Sequence, residues 1–180
     1  MKFEDVLHNG KLWSVVYDTD TESALQKVLT DWLSPNYLAL FFTENKADLE
    51  QYFRITNVDA AIYDTIADAT SLACVILDFN PDANLDVLFR PLENTRIHEM
   101  MLSREKAKGK RTSGHPSWLR LYAIRLGSGN YLITGGAIKL TPTMAERQHT
   151  LEELNKMEHV RNYLIDNGVY DISGLEDLNT

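Results

Sequence analysis

A chain of 180 residues, 44% apolar and 24% charged, is long enough for one domain that buries roughly two thirds of its extended-chain surface. Its net charge of −8 excludes a protein that coats nucleic acid at large, and its single cysteine excludes an intrachain disulfide. The opening MKFEDVLHNG has no apolar signal core, and no apolar run reaches the roughly 18 residues of a membrane span, so the expectation is a cytoplasmic protein with no membrane contact.

The first β-rich run is WSVVY, residues 13–17. DTDTE follows, where Asp20 or Thr21 can cap a helix whose inward stripe is Leu25, Val28, Leu29 and Trp32. Ser34-Pro35 breaks that helix. After the apolar residues 37–42, ENKADLEQYF reads as a polar-faced helix with Leu49, Tyr52 and Phe53 inward. Ile62, Ile66, Ala69, Ala73 and Ile76 recur at steps of three and four, which predicts a second, long amphipathic helix ended by Asn80-Pro81-Asp82. Cys74 falls in its apolar run SLACVIL and reads as a small buried side chain. In LDVLF, Leu85, Val87 and Phe89 alternate, so a strand is expected there.

Residues 94–117 lack apolar periodicity and read as an exposed basic loop. WLRLYAIRL, residues 118–126, alternates as a strand, with Trp118, Arg120, Tyr122, Ile124 and Leu126 on one face and Leu119, Leu121, Ala123 and Arg125 on the other. Residues 127–130, GSGN, close a hairpin onto the partner strand 131–140. Gly135-Gly136 inside that strand signals a bulge, or a close approach by another backbone or a ligand. The last helix carries a capping-box pattern at Thr150 and Glu153, a stripe of Leu151, Leu154, Met157, Val160 and Leu164, and a stop at Asn167-Gly168. The acidic tail 169–180 is expected to fray. The order of elements predicts an α+β single domain spanning residues 1–180.

Charge is segregated along this order. From Arg90 to His149, eleven Lys and Arg stand against four Glu, leaving a net of −15 on the rest of the chain. A basic hairpin on an acidic body points to a local polyanion contact. Arg104, Lys106, Lys108, Lys110 and Arg111 in the loop would neutralise phosphates. On the hairpin and beyond it, Arg125, Tyr122 and Arg147 add cations and a ring, the mixture that suits RNA. Metal-independent RNA cleavage needs proton-transfer groups and a cation for the developing phosphorane charge, so Arg120, Lys139, His149 and His115 are the candidate catalytic residues. Trp118 and Tyr122 also read as core residues, and Cys and His show no metal-ligand spacing such as CxxC or HExxH. No cofactor is expected.

WLRLYAIRL followed by YLITGGAIKLTPTM resembles the RelE/HigB/ParE superfamily of bacterial toxins, particularly its phage-derived HigB-like branch, over about residues 85–165. In that group a strand of the type "yRiyY" carries a central Arg, matched by Arg120, and a later strand of the type "hgFiKKt" ends in Lys, matched by Lys139. The second Lys of that pattern is Leu140 here, and the chain adds an acidic helical region around residues 43–80. The resemblance implies a small twisted antiparallel sheet with packed helices, cleavage of mRNA at the ribosome, and neutralisation by an antitoxin. A non-catalytic scaffold that binds a protein partner, an antitoxin or phage factor, is the rival reading. A small-molecule enzyme with a pocket at Gly135-Gly136 is the third.

Overall fold

The computed structural model describes residues 1–78, 84–92, 102–108 and 114–179. Among these residues six strands make one mixed sheet: β1 (Lys2–Asp5), β2 (Leu12–Val16), β3 (Arg90–Pro91), β4 (Arg104–Lys108), β5 (Leu119–Arg125) and β6 (Tyr131–Ile138). Their order across the sheet is β1-β2-β6-β5-β4-β3. β2 and β6 run parallel, and every other neighbouring pair is antiparallel.

Helices cover both faces. Between β2 and β3 come α1 (Ala24–Leu33), α2 (Pro35–Glu44), the short α3 (Lys46–Asp48) continued by a π-helical turn, and α4 (Val58–Leu77). Leu25, Val28, Trp32, Leu38, Phe42, Leu72 and Ile76 from these helices pack on Leu119, Leu121, Ile133 and Ile138 of the sheet. After β6, α5 (Gln148–Asp166) and α6 (Ile172–Leu178) cover the other face, where Met157, Val160, Leu164 and Leu175 meet Trp13, Val15, Tyr122, Ile124 and Leu132. The architecture is therefore α+β in three layers, with period-two alternation in β5 dividing two cores.

The expected hairpin is present. β5 and β6 pair antiparallel across the 127–130 turn, where Gly127 and Gly129 take positive φ and Leu126 N–H donates to the Asn130 carbonyl. The register slips between Tyr122 and Ala123 because Thr134 is an extra residue on β6, so the glycine pair does mark a bulge.

Several expectations change. Leu85–Val87 form a 3-10 turn in place of the expected strand, since the Asn84 side chain accepts from Asp86 N–H and winds the chain locally. Part of the basic loop is strand β4, with Glu105 and Ala107 inward. The cap of α1 is Ser23, assisted by Gln26, instead of Asp20 or Thr21. α5 begins before the expected capping box; the Thr150 hydroxyl donates to the Met144 and Arg147 carbonyls, and Glu153 is free for another task. The described part of the tail, 169–179, is packed: Leu175 is fully buried, and the Asn179 amide both accepts from Phe3 N–H and donates to the Phe3 carbonyl, imitating a strand neighbour at the β1 edge. Cys74 lies on the outer side of α4 and is exposed. α4 is apolar enough in composition to cross a membrane, yet its Ala61, Ala69, Leu72 and Ile76 are core residues of this fold.

Candidate functional site

Strand register assembles a cationic patch. Lys108 lies opposite Arg120, and Arg120 opposite Ala137, so Lys108 and Arg120 share the α5 face of the sheet. Lys106, opposite Tyr122, and Lys139, two residues past Ala137, fall on that face as well. Arg120 and Lys139 thus project from neighbouring strands to one side, as the sequence suggests. Among the described residues none of these four cations makes an ion pair with a carboxylate. Arg120 donates to the Ser117 and Leu119 carbonyls at 2.7 Å, Lys106 to the Leu92 carbonyl, and Lys139 to the Thr141 and Pro142 carbonyls. Burial, followed by the charge of Lys108 and Arg120, lowers the pKa of Lys106; burial, followed by Arg120 and Lys106, lowers that of Lys139. Four like charges are therefore held together against their own repulsion, an arrangement that an anion relieves.

The other sequence candidates are placed elsewhere. His115 stacks on Trp118, 4.2 Å between centroids, and pairs with Asp64 of α4, so its ring is turned toward the α4 side of the sheet. His149 engages the Ile138 carbonyl through Nε2 and sits edge-on to Phe41. Arg104 pairs with Glu158, Arg125 with Asp86, and Arg147 with Asp48 through two 2.6 Å bonds. Tyr122 is fully buried under α5, which excludes it as a platform for a base. Lys110 and Arg111 lie outside the described residues.

A second feature lies at Gly135-Gly136, where the sequence offers a pocket as its third reading. β2 pairs with β6 only as far as Ile133, so among the described residues β6 beyond Ile133 has β5 on one side alone. α1 leaves β2 for one face of the sheet, and α5 leaves β6 for the other. This is a topological switch point at the carboxyl ends of two parallel strands, where open sheets form crevices. The crevice here is a cleft of about 200 Å³ between α1 and α5, floored by Thr134–Ile138. The Tyr17 hydroxyl donates to the Thr134 carbonyl at its inner end.

Glu153 reaches the floor from α5. It is 8% exposed; one carboxylate oxygen takes a 2.6 Å bond from Lys156, and Oε2 has no hydrogen-bond partner among the described residues. A Cβ on Gly135 would stand 1.9 Å from that oxygen, so the glycine is what admits the carboxylate. Burial pushes the Glu153 carboxyl up, with Lys156 and the Gly136 amide opposing. Asp31, on the α1 wall, is also raised, chiefly by burial. The sequence signal for Glu153 was Gly135-Gly136: it marked a close approach, and the group that approaches is a carboxylate.

The chain matches no family model, no curated protein and no solved structure.

Proposed function

We propose that the chain is a RelE/HigB-like protein that binds RNA, free or within the ribosome, through the face bearing Lys106, Lys108, Arg120 and Lys139. The observation that carries this reading is the convergence of four cations on one face with no carboxylate partner among the described residues. Polyanion binding replaces their mutual repulsion with phosphate contacts and releases counterions. The sequence match at Arg120 and Lys139, and the run of β4, β5 and β6 into a packed helix, support the toxin-type assignment. Under it, Arg120 stabilises the charge of the transition state, and proton transfer falls to groups near the patch other than His115.

Titration of a labelled single-stranded RNA at several salt concentrations tests the reading. Replacing Lys106, Lys108 and Lys139 together by Ala should flatten the slope of log K against log salt by about 2, at roughly 0.7 per phosphate contact. Wild-type protein that fails to bind RNA at low salt, or an unchanged slope, overturns it. If RNA is cleaved, Arg120→Ala should slow cleavage by about tenfold to a thousandfold per folded molecule, with the folded fraction read from a melting curve.

The rival, a non-catalytic scaffold for a protein partner, is favoured by one observation. Leu40 of α2 and Tyr63 and Leu77 of α4 are 68%, 75% and 53% exposed. Under that reading the wild type shows no RNA binding at low salt, so the same titration separates the two.

A further inference from the structure

The α1–α5 cleft lies apart from the cationic patch and has the opposite sign. Asp20, Asp31, Glu152 and Glu153 line it against Lys27 and Lys156. Two of these carboxylates stand on the two walls, Asp31 on α1 and Glu153 on α5. Glu153, about nine tenths buried, pairs with Lys156 through one oxygen, while Oε2 meets no donor within hydrogen-bond geometry among the described residues and the Gly136 amide lies nearby. Asp31, partly buried on the α1 wall, has Lys27 and Lys156 as its nearest cations. A buried carboxylate oxygen left unsatisfied costs free energy that a matching donor would recover. Tyr37 stands half-exposed at the cleft, its ring held against Phe41, and offers a flat wall. The volume of about 200 Å³ is small for a whole drug-sized ligand and suited to one head group.

We infer that this cleft binds a guanidinium group, with Glu153 and Asp31 accepting its N–H donors from the two walls and Tyr37 stacking on its plane. A guanidinium presents donors in a fixed planar fork and stacks on aromatic rings, which a compact ammonium does not do. Two sources share this chemistry: a free guanidino compound, and an arginine side chain of a peptide. The inference does not rest on RNA binding and survives its failure.

The test measures agmatine binding to the full chain by calorimetry. Three probes run beside it: an N-acetyl arginine amide, cadaverine, and a neutral alkyl-urea of the same length. Agmatine or the arginine amide should bind, cadaverine and the urea at least tenfold more weakly. Glu153→Gln, nearly isosteric and compatible with Gly135, should weaken the guanidino probes tenfold or more, and Asp31→Asn tests the other wall if the first variant does not fold. Tighter binding of agmatine assigns the free compound, and tighter binding of the amide assigns an arginine side chain. No binding of either guanidino probe to the wild type, equal binding of cadaverine or the urea, or full affinity in a folded Glu153→Gln overturns the inference.

Discussion

At Glu153 the demands of folding and of charge oppose each other. The carboxyl is buried beneath α5, which favours its neutral form, while Lys156 and the Gly136 amide favour the anion; burial dominates and its pKa rises above the ordinary glutamate value. The folded protein then holds this proton more tightly than the unfolded chain does. Stability contributed here is present below the unfolded pKa of about 4.3 and is lost as pH rises through the folded value. Glu153→Gln removes that loss. The Lys156 pair it gives up is partly exposed and worth about 1 kcal/mol or less. The variant should therefore melt above the wild type at neutral pH, and the gap should close as the pH falls to about 4. Thermal melts at the two pH values check this; a variant that melts lower at neutral pH would mean that the Lys156 pair outweighs the burial penalty.

At the scale of elements, β6 is pressed from both sides at its bulge. A Cβ on Gly136 would meet Val28 and Trp32 of α1 at 2.9 and 3.0 Å, and one on Gly135 would meet Glu153 of α5. Gly135→Ala should cost about 1–3 kcal/mol through this overpacking. The cost should shrink when Glu153 is also Ala, a coupling that a double-mutant cycle in urea would read; strictly additive losses would place the strain in the backbone. The same elements show what the sequence discloses. The β5–β6 hairpin was legible because alternation and a glycine turn are local signals, and the shared face of Arg120 and Lys139 follows from that register. β4 was hidden because its outward positions are cations, and only Glu105 and Ala107 point inward. LDVLF alternates like a strand, but Asn84 winds it and Asp86 receives Arg125 and Tyr131 from the hairpin. The ion pairs that withdraw Arg125, Arg147 and His115 from an RNA face reach across 39, 99 and 51 residues, and no local pattern announces such contacts. The glycine pair marks the floor of the cleft in the sequence, but its walls come from α1 and α5 where β2 and β6 part, and no local pattern announces those.

Across the whole molecule, the chain closes on itself through its last helix. β1 is the edge of the sheet, and an open edge offers unpaired amides to other chains. α6 turns back over this end: Leu175 enters the core with Phe3, Trp13 and Val15, and Asn179 supplies both a donor and an acceptor to the Phe3 backbone. The acidic composition of the tail suggests solvent, yet its apolar residues Val169, Ile172, Leu175 and Leu178 belong to the α5-side core. Leu175, fully buried, should behave as a core position. Leu175→Ala is expected to cost about 2–5 kcal/mol, the range for emptying a buried leucine site, against about 0.5 kcal/mol or less for a change at a solvated surface. Urea denaturation followed by tryptophan fluorescence is suited to the measurement, because Trp13 lies in the same core as Leu175. A shift in midpoint with an unchanged slope would show the tail unfolding together with the sheet. A loss within about 0.5 kcal/mol would mean that the tail contributes nothing to the cooperative unit and that β1 is closed by its pairing with β2 alone.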